Sequence, residues 1–266
     1  MTARRGKVYL GTNLKMYKTI RQTLAFLTEL AERTRDIPRE QLCLFVIPSY
    51  LALPAAAAAV DQDQIGLGAQ NMHWEDVGQF TGEVSPLMLQ ELGLRLVEIG
   101  HSERRQHFRE TDCEENLKVL SALRHGFTAL LCIGETGQEK ELGISDERLR
   151  QQLKIGLRGV AEAQADRIWV AYEPVWAIGV QGTPASPEYA GAKQQLIRDT
   201  LLELFPERGG EIPVLYGGSV NPENAIALSR QPAIDGLFIG RAAWEADRFD
   251  GLIRQIWPVW REKLNL

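Results

Sequence analysis

Short apolar runs recur along the chain, and each ends in a turn or a polar residue. Their length and their β-branched residues predict eight buried strands. The predicted strands cover residues 8–13, 42–47, 65–70, 95–99, 128–133, 168–172, 212–216 and 236–239.

Stretches with helical periodicity separate these strands. Residues 19–35 place Leu24, Leu27 and Leu30 on one face, which is typical of an amphipathic helix. Further helices are predicted over 114–125, 145–165, 188–205 and 248–264, the last with Pro258 inside it. A strand followed by a helix, eight times over, predicts an α/β fold with a single (β/α)8 barrel. A doubly wound sheet is the weaker alternative, because it needs fewer units and no Gly-x-Gly-x-x-Gly follows the first strand.

Length and charge narrow the class of protein. The chain has 266 residues, 44% of them hydrophobic, with 30 Lys and Arg against 35 Asp and Glu and a formal net charge of −5. No linker or composition shift divides it, so we expect one domain over residues 1–266. The mild acidity argues against nucleic acid or an anionic membrane as the main partner, whereas a small anionic substrate still fits a locally positive pocket.

The cysteines and the apolar segments indicate a cytoplasmic protein. Cys43, Cys113 and Cys132 are odd in number and form no Cys-x-x-Cys, so the sequence predicts neither a disulfide framework nor a zinc knuckle. Residues 1–7 lead into an apolar stretch too short for a signal peptide, and the run 51–60 is too short for a membrane helix.

Polar residues at the ends of the predicted strands are the candidates for chemistry, because a barrel carries its catalytic groups there. They are Asn13, Lys15, Gln70, Asn71, His101, Gly134, Glu135, Glu173, Tyr216 to Ser219, Gly240 and Arg241. Glu173 closes an apolar strand, where a general base would be held rigidly. The alternative for a lone glutamate is a structural ion pair with an arginine.

His101 is a candidate hydrogen-bond donor, and Lys15 is a candidate cation at the mouth of the barrel. His101 precedes Ser102 and Glu103, which look like the start of a helix, and the field of a helix N-terminus disfavours the imidazolium, so we expect a neutral donor. The other histidines lack metal-ligand spacing with it, so no catalytic metal is expected. An ammonium at position 15 would meet phosphate and a developing oxyanion together, the alternative being a solvated loop lysine.

Glycine-bearing turns follow the last two predicted strands, at 216–220 and 239–242. Such turns let backbone N–H groups approach a phosphate, and this is the usual phosphate site of a barrel. The segment 174–182 begins with proline, contains glycines and has apolar residues at its tip. It is typical of a lid that excludes water, with a permanently packed Ω-loop as the alternative.

Several motifs stand in an order that resembles the triosephosphate isomerase family over essentially the whole chain. They are Asn-x-Lys-Met at 13–16, Gly-Ala-Gln-Asn at 68–71, Phe-Thr-Gly-Glu at 80–83, Gly-His-Ser-Glu-Arg-Arg at 100–105, Cys-Ile-Gly-Glu-Thr at 132–136, Tyr-Glu-Pro-Val-Trp-Ala-Ile-Gly at 172–179 and Tyr-Gly-Gly-Ser-Val at 216–220. The resemblance implies a TIM barrel that needs no cofactor.

The same resemblance implies the chemical roles, which are known for the family rather than worked out from spacing. Glu173 would be the base that moves a proton between carbons, and His101 the neutral electrophile that moves protons between oxygens. Lys15 would stabilise an enediolate, Asn13 would orient the carbonyl end, and Glu103 would support the site from behind. The expected reaction interconverts dihydroxyacetone phosphate and D-glyceraldehyde 3-phosphate, in glycolysis and gluconeogenesis.

Phosphate and subunit contacts are implied as well. The phosphate would be held by Gly179, Gly217, Gly218, Ser219, Gly240 and the N–H of Arg241. Thr81 and the loop 71–84 would reach into a second subunit, with Glu83 and Arg104 near the interface. A homodimer is therefore expected.

Three departures from the family pattern lie near the substrate. Leu14 and Tyr17 flank Lys15 where the family has Trp and Asn, and Arg241 replaces the second glycine of the last turn. The lid reads Gly-Val-Gln-Gly at 179–182, with Val180, Gln181 and Gly182 in place of the usual Thr-Gly-Lys.

Motifs at 70–74, 182–186 and 235–244 are similar to a branch of the family that isomerises four-carbon erythrulose phosphates. Asn13 and the other chemical groups are nevertheless those of the three-carbon enzyme. We expect the three-carbon reaction, because a difference of one carbon is weakly encoded, and keep L-erythrulose-1-phosphate isomerase as the alternative.

Two other classes of function are weaker. A glycosidase needs two carboxylates about 5 to 10 Å apart, and Glu173 has no obvious partner at the seventh strand. A phosphate-binding protein without activity would need the glycine turns but not the base, so the presence of Lys15, His101 and Glu173 together argues against it.

Overall fold

A closed barrel of parallel strands is the centre of the fold. The computed structural model describes residues 6–179 and 182–265, so Val180 and Gln181 of the predicted lid lie outside the described residues. The strands are β1 Val8–Asn13, β2 Leu42–Ile47, β3 Gly66–Ala69, β4 Leu96–Ile99, β5 Thr128–Ile133, β6 Ile168–Tyr172, β7 Val214–Tyr216 and β8 Gly236–Phe238. They pair in sequence order and the barrel closes between β1 and β8, so the predicted (β/α)8 TIM barrel is confirmed.

Helices surround the barrel between successive strands. They are α1 Ile20–Arg33, α2 Leu53–Ala59, α3 Pro86–Gln90, α4 Ser102–Phe108, α5 Asp112–Arg124, α6 Gly137–Glu141, α7 Ser145–Gly156, α8 Pro187–Leu204, α9 Ala225–Ser229 and α10 Ala246–Leu264. Of the helices in the described ranges, none is both long enough and apolar enough to span a bilayer.

One predicted helix is wrong in its extent. The stretch 145–165 was expected to be continuous, but α7 ends at Gly156 and a short 3-10 helix, Glu162–Arg167, follows. Gly159 between them has φ +79°, a left-handed conformation that ends a helix and suits glycine. Pro258 is tolerated inside α10, which runs through it.

The register of the strands sets the packing inside the barrel. Val8 lies opposite Leu42 in one neighbour of β1, and Tyr9 lies opposite Gly236 in the other. A Cβ at Gly11 would come within 2.2 Å of the Phe45 ring, so glycine is needed there for the ring to fill the interior. Because the strands are parallel, their carboxyl ends meet at one face.

Candidate functional site

A cavity of about 320 Å³ opens at the carboxyl-terminal face of the barrel. It brings together ten of the predicted site residues: Asn13, Lys15, His101, Glu173, Gly179, Gly217, Gly218, Ser219, Gly240 and Arg241. Residues from the first, fourth, sixth, seventh and eighth strand ends therefore share one pocket, which barrel geometry requires of an active site.

The loop after β1 holds Lys15 in a strained backbone conformation. Lys15 has φ +51°, which is uncommon outside glycine. Its N–H donates to Oδ1 of Asn13 at 2.6 Å, and Gln70 Nε2 donates to the Lys15 carbonyl at 2.8 Å. Gln70 also donates to Oδ1 of Asn13 at 3.0 Å. These bonds fix the direction in which the lysine leaves the strand.

Glu103 lies behind Lys15, outside the lining of the cavity. Its Oε1 is 2.6 Å from the Lys15 ammonium. Burial opposes ionisation of Glu103, but the hydrogen bond from Lys15 and the charge of that ammonium outweigh it and lower its pKa. The carboxylate thus stays charged and anchors the ammonium at the pocket.

His101 is the N-cap of α4. Its Nδ1 accepts the backbone N–H of Glu103 at 3.2 Å, which needs an unprotonated nitrogen and leaves the ring hydrogen on Nε2. That Nε2 faces the cavity, 3.6 Å from Oε2 of Glu173. The helix terminus therefore selects a neutral ring whose free hydrogen points at the pocket.

Glu173 follows β6 directly and is only 3% exposed. Burial raises its pKa, the charge of Lys15 opposes this, and the backbone N–H of Ser102 donates a hydrogen bond to the carboxylate. Its Oε2 has no hydrogen-bond partner among the described residues, and no described lysine or arginine forms an ion pair with it. A structural ion pair with arginine therefore does not explain this glutamate.

The turn after β7 is shaped around this carboxylate. A Cβ at Gly217 would stand 2.8 Å from Cγ of Glu173, so any side chain there would displace the glutamate. Gly179 also lines the cavity. Nothing lies within 4 Å of the position its Cβ would take, but its φ of +89° is a conformation that favours glycine. Glycine serves close approach in the first case and backbone conformation in the second.

Leu14 and Tyr17, which depart from the family pattern, lie in the loop after β1. Tyr17 packs on Trp244, with ring centroids 4.4 Å apart, and Trp244 Nε1 donates to the Asn13 carbonyl at 2.9 Å. Leu14 is buried instead of lining the cavity. The loops after β1 and β8 are thereby joined beside Arg241.

The start of the predicted lid is held by hydrogen bonds to the buried carboxylate of Glu135. Glu135 accepts hydrogen bonds from Tyr172 at 3.1 Å, from Trp176 at 2.9 Å and from Tyr189 at 2.8 Å. Beyond this anchor, Ala177 to Gly179 line the cavity. Sequence reasoning placed Glu135 at a strand end but gave it no role.

The residues predicted at a dimer interface do not belong to the cavity. Thr81 and Glu83 are exposed in the loop before α3, and Arg104 donates to Glu110 at 2.6 Å. Their contact with a second subunit remains a prediction.

Sequence reasoning missed Glu98, a fully buried carboxylate in β4. One ligand atom each from Glu98, Cys132 and Glu173 lies within 4.8 Å of the others, the one group with such spacing among the described residues. Glu98 does not line the cavity, so it is not placed to flank a sugar bond as a glycosidase carboxylate would. A charged residue inside the apolar run 96–99 was the available signal.

Comparison with known proteins identifies relatives over nearly the whole chain. The family model described as "Triosephosphate isomerase" matches residues 8–256. A protein of Rhizobium etli named L-erythrulose-1-phosphate isomerase is 48% identical over 94% of this chain and 92% of its own length. Proteins of that name from Mesorhizobium japonicum and Rhizobium meliloti are 48% and 43% identical, over 91% and 94% of this chain and 94% and 96% of theirs.

These relatives overturn the prediction that this is a triose-phosphate isomerase of glycolysis. That prediction rested on Asn13, Lys15, His101 and Glu173, but relatives named for a four-carbon substrate match the chain over almost its full length. The same groups can serve both reactions, so their presence does not discriminate between substrates. The family match over residues 8–256 shows that the chain is an isomerase belonging to the triosephosphate isomerase family.

Proposed function

We propose that this chain is an L-erythrulose-1-phosphate isomerase. The observation that carries the proposal is the set of relatives with that name, 43 to 48% identical over at least 91% of this chain. The substrate is then a phosphorylated four-carbon ketose. A pocket with Lys15 inside and glycine turns at its rim suits a small phosphate ester.

The structure of this substrate restricts where its carbonyl can move. L-erythrulose 1-phosphate carries phosphate on C1, the carbonyl on C2 and free hydroxyls on C3 and C4. C1 has no free hydroxyl to become a carbonyl, so a shift between neighbouring carbons runs from C2 to C3. The product is again a ketose, with its carbonyl two carbons from the phosphate-bearing carbon.

Glu173 is the proposed base. It removes the hydrogen of C3 as a proton, and the electron pair of that C–H bond forms the C2–C3 double bond of an enediolate. The negative charge moves to the oxygen on C2. The proton then returns from Glu173 to C2 as the carbonyl forms at C3. A buried carboxylate with a raised pKa suits this exchange, because it binds the proton more readily than an exposed one.

His101 and Lys15 are the proposed partners of the developing charge. The Nε2 hydrogen of His101 faces the cavity and can be donated to the oxygen on C2, while the ring takes the hydroxyl proton from the oxygen on C3. The Lys15 ammonium stabilises the enediolate electrostatically. Asn13 orients the carbonyl end, and Glu103 holds Lys15 from behind.

The proposed phosphate site is formed by backbone N–H groups of the lid and the last two turns, at Gly179, Ser219, Gly240 and Arg241. Gly217 and Gly218 let these turns approach closely. This end of the pocket is remote from the carbon that loses its proton. Its contacts bind the substrate and orient C3 toward Glu173.

We also propose a cytoplasmic homodimer. Cys43, Cys113 and Cys132 are free thiols, as expected in a reducing compartment. Met16 and Val77 are 91% and 80% exposed, and the loop that carries Val77 also carries Thr81. Apolar side chains this exposed suit burial against a second copy. Light scattering on a sizing column gives the mass: a dimer supports the proposal and a monomer contradicts it.

The substrate is tested by kcat/KM for L-erythrulose 1-phosphate and for dihydroxyacetone phosphate with one enzyme preparation. We expect a preference of at least about tenfold for the four-carbon ester, the scale that one carbon commonly gives. NMR of the product should show a second ketose and no aldehyde. Equal or greater efficiency with the triose would contradict the proposal.

A further inference from the structure

Glu98 is a carboxylate with an unusual position in the barrel. It lies in β4 among Leu96, Val97 and Ile99, and none of its side chain is exposed. Within the described residues no lysine, arginine or histidine forms an ion pair with it. A buried acid without an ion-pair partner is costly to ionise, so the interior favours its neutral form.

Both oxygens of Glu98 contact groups beneath the candidate active site. Oε2 accepts from Nδ2 of Asn13 at 2.6 Å, and Oε1 lies 3.7 Å from Sγ of Cys132. Asn13 cannot turn its amide round, because its Oδ1 already accepts from the Lys15 N–H and from Gln70. Glu98 therefore completes the set of bonds that fixes the Asn13 side chain.

The groups that face Glu98 determine its charge. Glu173, directly after β6, has a carboxylate oxygen within 4.8 Å of Glu98, and Cys132 faces Glu98 from β5. Lys15, after β1, is the cation among its neighbours, but its ammonium pairs with Glu103, after β4. Burial, and then the charge of Glu173, raises the pKa of Glu98. Two buried carboxyl groups this close share their protons as a pair, and one negative charge is cheaper than two.

We propose that Glu98 is a positioning residue, which stays a neutral carboxylic acid while Glu173 carries the negative charge and which holds the amide of Asn13 at the wall of the cavity. The proposal rests on the proposed role of Glu173 as the base. It divides two neighbouring carboxyl groups into one that exchanges a proton with substrate and one that keeps its proton.

A consequence for activity follows from this division. Ionisation of Glu98 would place a second negative charge beneath the enediolate and raise the free energy of the transition state. We therefore expect kcat/KM of the native enzyme to fall at alkaline pH, in part because Glu98 ionises.

The kinetic test compares Glu98→Gln, Glu98→Leu and a control, Leu201→Ala, which empties a buried site in α8 away from the cavity. Glu98→Gln keeps an oxygen for Asn13, so we expect kcat/KM within about threefold of the native value near pH 7, with the alkaline decline moved to higher pH. Glu98→Leu should lower kcat at least about tenfold while KM changes less than about threefold, because the phosphate contacts are intact.

Two kinetic results would overturn the proposal. One is an alkaline decline in Glu98→Gln that is unchanged from the native enzyme. The other is a Glu98→Leu protein with native kcat that loses only thermal stability, as Leu201→Ala does. If Glu98→Leu fails to fold, the pH profile of Glu98→Gln decides alone.

A spectroscopic test needs no turnover. The infrared spectrum of the native protein minus that of Glu98→Gln, at pH 7, should contain the C=O stretch of a protonated carboxyl group. Glu115, whose pKa burial raises to about 8, contributes equally to both spectra. Absence of the band overturns the neutral Glu98. The band together with no turnover of L-erythrulose 1-phosphate supports the neutral Glu98 and contradicts only the substrate assignment.

Discussion

Lys15 and Glu103 form a direct ion pair, with 2.6 Å between Nζ and Oε1, that joins the loop after β1 to helix α4. The lysine is 19% exposed and the glutamate 43% exposed, so the pair lies at the edge of the cavity. The ammonium is thereby directed before any substrate arrives, which lowers the entropic cost of ordering it during the reaction.

Loss of this carboxylate charge should weaken catalysis more than stability. We expect Glu103→Gln to lower kcat/KM about tenfold or more, because Lys15 is then less well oriented toward the enediolate. The control is Glu29→Gln, which removes a similar surface pair, with Arg33 in α1. The urea concentration at the unfolding midpoint should change little in either variant. An unchanged kcat/KM in Glu103→Gln would contradict the anchoring role.

Replacement of the proposed base should separate binding from chemistry. Glu173→Gln keeps the shape of the side chain but cannot accept the proton, so kcat should fall by at least about 100-fold. Binding of a non-reacting phosphate ester, measured by calorimetry, should stay within about threefold, because the glycine turns are untouched. A mutant as fast as the native enzyme would exclude Glu173 as the base.

The close approach of Gly217 to Glu173 gives a steric prediction. In Gly217→Ala the new Cβ would lie 2.8 Å from Cγ of Glu173, so the base must shift and kcat should fall about 100-fold. Gly251→Ala is the matched control, since nothing lies within 4 Å of its Cβ in α10, and it should stabilise the protein by about 1 kcal/mol. Equal kcat in the two variants would mean that Glu173 tolerates the displacement.

The buried acid of β4 makes stability depend on pH. A carboxyl group whose folded pKa is raised binds its proton more tightly in the folded protein. Its contribution is complete below the unfolded value of about 4.3 and is lost as pH rises toward the folded pKa. The urea midpoint of the native protein should therefore fall from pH 5 to pH 8 by more than that of Glu98→Gln. Parallel declines would show that Glu98 ionises normally.

Arg241 provides a prediction about the phosphate end of the cavity. Arg241 lines the pocket and its side chain is exposed, so if the guanidinium contacts the phosphate, Arg241→Ala should raise KM about fivefold, the range of an exposed charge contact, with little change in kcat. Arg158→Ala, between α7 and β6 at the opposite end of the barrel, changes net charge equally and should leave KM unchanged. The same KM in both variants would assign phosphate binding to the backbone alone.

The periodic apolar runs predicted every strand of the barrel to within two residues at either end, because buried parallel strands depend on local composition. The helix over 145–165 was overpredicted, since α7 ends at Gly156 and the left-handed conformation of Gly159 turns the chain away, which hydrophobic periodicity does not report. Glu98 was missed because its significance comes from Asn13, Cys132 and Glu173, which lie far away in sequence. The predicted substrate was wrong because a substrate with one more carbon requires a different pocket shape, and the motifs at the strand ends do not report that shape.

The hydrogen bond from Trp244 to the Asn13 carbonyl spans 231 positions of the chain. Asn13 ends the first strand of the barrel, whereas Trp244 and the turn at Gly240 follow the last strand and are synthesised after all eight strands. A chain still growing from the ribosome thus has neither the closing β1–β8 pair nor the proposed phosphate site. Pairing of β8 with β1 therefore completes the barrel and the proposed phosphate site together, and contacts of such long sequence separation are slow to form.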